Sequence, residues 1–321
     1  MNLRNGGLRI FRVLGINVYL HWSWLVAAFF LIQWNNQRYS SPVWSVFEYL
    51  ALFAIVLLHE FGHALACRSV GGKADRIVLW PLGGAAYVEP PPRPGPMLWS
   101  IAAGPLVNVV LLPILGGYAY LLMKQAGDMP DNLTNLITQI AFINGGLLVF
   151  NLLPIYPLDG GKIVWSLLWF FMGRWHSLLV STIFGLICAA GALVFAIVES
   201  GRGAGSWLIY IALYAAFNSW TGFQQARKMV KLNSGPKHQD FTCPTCRAHP
   251  PMGPLWRCSC GAAYDTFANN GHCPACQVSY ATTQCSSCGA RHPFADWFQP
   301  AFPVTLNRAV VPPPIPVVRI Q

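Results

Sequence analysis

Ala51-Leu52-Phe53-Ala54-Ile55-Val56-Leu57-Leu58-His59-Glu60-Phe61-Gly62-His63-Ala64-Leu65-Ala66-Cys67 is the stretch on which the fold turns. It is an apolar run, continuous with Ser45–Leu50 before it, that carries two histidines and a carboxylate at its centre. A charged residue in the middle of such a helix costs about 2.5–3.5 kcal/mol on insertion scales. Glu60 is the only acid between Ala51 and Cys67, and no neighbour in sequence neutralises it. A metal ion would. Residues four apart on an α-helix lie about 40° apart around its axis, so His59 and His63 present their imidazoles to one point. Glu60 lies beside that point, placed to hold and deprotonate a water at the metal. The basic end at Arg68 lies roughly 13 Å from His59 along a helix, which puts the site below a membrane surface.

The rest of the composition agrees with a lipid environment. Of the 321 residues 54% are hydrophobic and 10% charged, where a soluble domain carries about 25% charged residues. Runs near the ~20 residues needed to span a hydrocarbon core are read at Val18–Trp34, Ser45–Cys67, Met97–Met123, Leu133–Leu153, His176–Val198 and Trp207–Phe223. The expected fold is a multi-pass α-helical membrane protein of about six spans, with a short cytosolic β-hairpin and a small C-terminal zinc-ribbon module. Arg4, Arg9 and Arg12 precede the first run without a small-residue cleavage site, which favours a retained span over a removed signal. With the N-terminus inside, thirteen Lys and Arg fall on inner segments and three (Arg38, Lys124, Arg202) on outer loops. That bias places both termini in the cytosol. The net charge of +10 is mainly this topology signal and does not point to nucleic acid.

A hydrolytic zinc site needs three protein ligands and an open position. The candidate third ligand is Asp159, in Asn151-Leu-Leu-Pro-Ile-Tyr-Pro-Leu-Asp-Gly-Gly161. Two prolines break the fourth span there, and two glycines allow a turn beside Asp159. Irregular backbone at membrane depth is tolerated where it lines a cavity. The alternative is a helix-terminating turn with a capping Asp. Between the second and third spans, Arg76–Val88 has β-branched and aromatic residues around a Pro and a Gly-Gly pair, which suits a hairpin. Asn108 and Asn144 are expected to hydrogen-bond between spans.

Through His59-Glu60-Phe61-Gly62-His63 and Asn151…Pro154…Pro157-Leu158-Asp159-Gly160-Gly161, residues 10–225 resemble the site-2 protease family of intramembrane metalloproteases. His21-Trp22-Ser23, Pro81-Leu82-Gly83-Gly84 and Gly104-Pro105-Leu106-Val107-Asn108 add to the likeness. The resemblance implies that His59, His63 and Asp159 bind a catalytic zinc ion. It implies that Glu60 is the catalytic acid/base and that Asn151 helps to hold substrate backbone. The implied activity is hydrolysis of a peptide bond in or near a transmembrane segment of a membrane-protein substrate. The implied setting is a bacterial plasma membrane, with lipid around the chain.

Residues 1–225 are read as the membrane domain, 226–240 as a basic linker, 241–298 as a double zinc ribbon and 299–321 as a Pro-rich tail. The ribbon segment holds eight of the ten cysteines: Cys243, Cys246, Cys258, Cys260, Cys273, Cys276, Cys285 and Cys288. Paired cysteines across short loops read as four-cysteine zinc sites, and a reducing cytosol disfavours disulfides. Two structural zinc ions are expected, with sequential pairing the simpler choice and interleaved pairing open. After Pro236 six basic residues face Asp240, Asp265 and Asp296, too thin a balance for nucleic-acid binding. A protein partner or the substrate's cytosolic part is the preferred ribbon target. The competing function is a non-catalytic membrane adaptor that binds partners through the ribbons. A degenerate member should lack a ligand or the glutamate, and none is missing.

Overall fold

The computed structural model describes residues 7–35, 38–80, 83–126, 131–200 and 207–298. The Pro-rich tail (299–321), Pro81 and Leu82 of the hairpin, Arg4 and the outer-loop Arg202 lie outside these residues. Two compact units are present, Met1–Leu167 with Ser181–Trp220, and Leu168–Val180 with Thr221–Gln321.

In chain order the membrane part runs β1 (Gly7–Val13), β2 (Ile16–His21), α1 (Ser23–Asn35), α2 (Pro42–Ser69), β3 (Lys73–Trp80), β4 (Gly83–Glu89), α3 (Pro94–Ala126), α4 (Asn132–Leu152), α5 (Asp159–Met172), α6 (Arg174–Ser200) and α7 (Trp207–Asn233). Among the described residues four helices, α2, α3, α4 and α6, are long and apolar enough to cross a membrane. They correspond to four of the six expected spans.

The expected first span, Val18–Trp34, is not one helix. Leu14 (φ 50°) and Gly15 (φ 77°) turn the chain back from β1, and Ile16–His21 is a strand hydrogen-bonded on both sides. The helix that follows has 13 residues, about 20 Å at 1.5 Å per residue. The last expected span lies in α7, which continues through residues 226–233, the first part of the expected linker. Gln224, Gln225, Arg227, Lys228 and Lys231 make its second half polar. A separate 14-residue α5 is not among the expected elements, because its apolar residues run on into the next span without a breaker other than Gly173.

The hairpin belongs to a larger sheet of order β1-β2-β3-β4. β2 and β3 pair in parallel (Val18 opposite Ile77), and β3 and β4 antiparallel (Ile77 opposite Ala86). Ile16, Val18, Ile77 and Leu79 are fully buried and cluster with Trp24, Val56, Ala64 and Cys67. The sheet is therefore fixed against α2, with β4 as an edge strand. Helices α2 and α3 approach closely where Gly62 faces α3, since a Cβ there would lie 2.6 Å from the Ala103 carbonyl oxygen.

In the second unit, β5 (Trp256–Arg257) pairs with β6 (Ala263–Tyr264), and β7 (Thr282–Gln284) with β8 (Arg291–Pro293). Phe267 is central to an aromatic core, with ring centroids 4.9–5.6 Å from Phe241, Trp256, Phe294 and Trp297. Asp265 organises the loop beside it, accepting from the amides of Gly253, Phe267 and Ala268 and from His238 Nε2. Burial alone would raise the Asp265 carboxyl. The Gly253 amide and the His238 ring outweigh that and hold it below the usual carboxylate range.

Candidate active site

His59 and His63 lie one turn apart on α2, and Asp159 is the first residue of α5. His59 Nε2 and His63 Nε2 are 3.0 and 3.1 Å from Asp159 Oδ2 and 3.1 Å from each other. All three residues are buried. The two glycines after Asp159 do not form a turn; they begin α5 and let it press on the chain before it. A Cβ on Gly160 would lie 2.3 Å from the Leu152 oxygen, and one on Gly161 2.5 Å from the Tyr156 nitrogen.

The hydrogen bonds behind the cluster fix its protons. Asn144 Nδ2 donates to the Asn108 main-chain carbonyl at 3.0 Å, so Asn144 turns its Oδ1 to Asn108 Nδ2, 2.8 Å away. Asn108 therefore presents Oδ1 to His59 Nδ1 at 2.6 Å, and that nitrogen must carry a proton. His63 Nδ1 lies 2.8 Å from the Ser100 carbonyl, which only accepts, so it too is protonated. In neutral rings both Nε2 atoms are then bare lone pairs, aimed with a carboxylate oxygen at one point. Three acceptors at 3.0–3.1 Å with no proton between them repel unless a cation lies among them. Zinc bonds of about 2.0–2.1 Å in a tetrahedron separate ligand atoms by about 3.3 Å. The triangle fits that ion.

Glu60 stands apart from the triangle. Its Oε2 accepts from the Ala86 amide of edge strand β4 at 2.7 Å. A Cβ on Gly84 would lie 2.2–2.5 Å from the Glu60 side chain, so only glycine lets β4 come this close. Gly104 on α3 does the same for the histidines. The other Asp159 oxygen, Oδ1, faces Lys162 Nζ at 4.0 Å.

The model of peptidase family M50 matches residues 47–126 and 115–198. These segments contain the histidine pair, Glu60, Asn108, Asn144 and Asp159. Residues 47–198 are therefore similar to peptidase family M50. It is 29% identical over 230 residues to a zinc metalloprotease of Methanocaldococcus jannaschii, covering 72% of this chain and 63% of that one. It is 29% identical over 233 residues to a putative zinc metalloprotease of Mycobacterium tuberculosis, covering 68% and 57%. Among solved structures, the site-2 protease from Methanocaldococcus jannaschii matches with a TM-score of 0.47 and 27% identity, over 68% of this chain and 95% of that chain. The chain thus spans about 60% of the length of these two curated relatives. Its four apolar helices and its likeness to peptidase family M50 make the chain an integral membrane protein.

Of the residues singled out from the M50 motifs, Asn151 is not brought to the triangle by any side-chain hydrogen bond among the described residues. It is half-buried in the last turn of α4. His21 stacks on Trp80, with centroids 4.0 Å apart, and pairs with Ser23. Asn108 and Asn144 do bond between helices as expected. The contact of Asn108 with His59 was not legible, because nothing in the sequence places α3 against that face of α2.

The eight ribbon cysteines form two clusters of four, and the pairing corrects the sequential expectation. Cys243 and Cys246 join Cys285 and Cys288, while Cys258 and Cys260 join Cys273 and Cys276. The reason is that the module's ends pair: Phe241 bridges to Phe298, and the Thr242 amide donates to the Trp297 carbonyl. The first knuckle is thereby carried to the last. Sulfur separations of 3.3–3.8 Å across the clusters match tetrahedral zinc with Zn–S bonds of about 2.3 Å. The Tyr280 hydroxyl, 2.9 Å from Cys258 Sγ, draws that thiol down to about 5, which favours the ligating thiolate. Cys243→Ser with Cys288→Ser should therefore cost one zinc equivalent, and Cys243→Ser with Cys258→Ser two. Metal analysis of the purified double variants checks this, and the reverse result would restore sequential pairing.

Proposed function

We propose that the chain is a zinc-dependent intramembrane endopeptidase that cuts a membrane-protein substrate in or near a transmembrane segment, as in regulated intramembrane proteolysis. The observation that carries this reading is the convergence of three acceptor atoms, from His59, His63 and Asp159, beside a buried glutamate that is not one of them. His59, His63 and Asp159 hold the ion, with Asn108 and Ser100 setting the histidine tautomers. When bound, zinc supplies Lewis-acid polarisation of a carbonyl and acidifies a water. Glu60 would take a proton from the attacking water and deliver it to the leaving amide nitrogen. The two four-cysteine clusters hold two further ions with a structural role.

A substrate helix is cut only after its backbone bonds open. The free edge of β4 suits the unwound segment, which would add as a further strand. The Ala86 amide, bonded to Glu60, supports this because it turns that edge towards the reacting centre. Asn151 is assigned to substrate backbone on family likeness. The domain division at 225, 240 and 298, a bacterial plasma membrane and cytosolic termini complete the proposal, with the ribbons facing a cytosolic protein partner or the substrate's cytosolic part. The adaptor alternative gains no observation, since no ligand is lost.

The test is metal removal from the full chain in liposomes containing a membrane-protein substrate. Chelation should reduce cleavage to background, and zinc should restore it. Cleavage that continues at the original rate in metal-free protein would remove the mechanism.

A further inference from the structure

The compact unit that contains the ribbons also contains Leu168–Val180, which comprises the end of α5, the turn at Gly173 and the start of α6. The contact centres on the knuckle Cys285-Ser286-Ser287-Cys288. Trp175, 7% exposed, donates its indole Nε1–H to the Ser286 carbonyl at 2.8 Å. The Ser286 hydroxyl reaches Asn233 Oδ1 of α7 at 3.5 Å. The Arg174 guanidinium lies 4.8 Å from the Trp175 ring centroid and 5.5 Å from that of Trp169. It is also within electrostatic reach of Cys285 and Cys288. Gly173, at φ 76°, makes the turn that places these two tryptophans on one arginine.

Two features make this more than packing. Ser286 lies between two cysteines of one cluster, so ligation of a metal by Cys285 and Cys288 fixes the direction of the carbonyl that Trp175 grips. Four thiolates around a divalent ion also carry a net negative charge, which holds a nearby guanidinium. On the other side, Trp169 is in the last turn of α5, a continuous helix whose first residue is Asp159.

We propose that the Cys243/Cys246/Cys285/Cys288 site clamps the α5–α6 turn, making Trp175 and Arg174 positioning residues for Asp159. This rests on the reading of Asp159 as a zinc ligand. A loaded knuckle pins one end of α5 and so holds its first residue on the histidines. An emptied knuckle frees the turn, and the carboxylate loses its register.

The test uses the full chain in lipid nanodiscs. Trp175→Phe keeps a ring over Arg174 and removes the indole donor; Cys288→Ser removes a ligand. Amide exchange over residues 159–175 should accelerate about tenfold in Trp175→Phe, as for loss of one anchoring hydrogen bond, and further in Cys288→Ser. Zinc content should be unchanged in Trp175→Phe, which loss of fold would not produce, and the cleavage rate per bound zinc should fall. Exchange in α5 that matches wild type in both variants, or a change confined to the ribbon, overturns the clamp. Faster α5 exchange in a chain whose wild type cleaves nothing would uphold the clamp and remove the protease reading instead.

Discussion

Replacement of Glu60 with glutamine is expected to lower cleavage of a reconstituted membrane substrate by about 10²–10⁴-fold, the usual contribution of a general base. Metal binding should stay intact. Glutamine has nearly the same shape, and its Oε1 can still accept from the Ala86 amide that now bonds Glu60 Oε2 at 2.7 Å. The edge strand β4 therefore keeps its place. The histidines and Asp159 form their triangle without Glu60, so the zinc equivalent of the membrane site should be retained. Loss of rate with retained zinc assigns proton transfer to this carboxylate. Wild-type cleavage by the variant would mean that another group moves the proton, and the role given to Glu60 would be wrong.

Gly104→Ala is expected to remove the membrane zinc without touching a ligand. A Cβ at this position would lie 2.2 Å from His63 Nε2, 2.4 Å from His63 Cε1 and 2.8 Å from His59 Nε2. Nothing there can yield cheaply. His63 is held from behind by the Ser100 carbonyl and His59 by Asn108, so the methyl group must push α3 away or break those bonds. Overpacking of this kind costs about 1–3 kcal/mol, and it falls on the nitrogen lone pairs themselves. The matched control is Gly116→Ala, in the same helix with nothing within 4 Å of its Cβ. Of the three metal clusters, Gly104→Ala should lose the histidine one and keep both cysteine ones. Gly116→Ala should keep all three. Equal zinc contents and equal cleavage in the two variants would place the ion elsewhere.

Local chemistry was legible in the sequence wherever a short segment carries its own geometry. The spacing of His59 and His63 on an apolar run fixes both imidazoles on one helical face, whatever surrounds them. Cysteine pairs two or three residues apart identify knuckles, and the glycines and prolines around Asp159 mark the broken end of α4. Apolar length alone located α2, α3, α4 and α6.

What only the tertiary structure decided is everything that depends on which surfaces meet. Val18–His21 is hydrophobic enough for a helix, but strands on both sides supply its backbone hydrogen bonds, and these outweigh a local preference. The cysteine pairing followed from Phe241 meeting Phe298 at the module's ends. Gly84, Gly104 and Asn108 lie in motifs that carry the family likeness, and Asn108 and Asn144 are polar residues expected to bond between spans. The contacts of Gly84 with Glu60 and of Gly104 and Asn108 with the histidines arise only when β4 and α3 are laid against α2. Their meaning is a distance of closest approach, and that is a property of two elements which neither sequence segment contains.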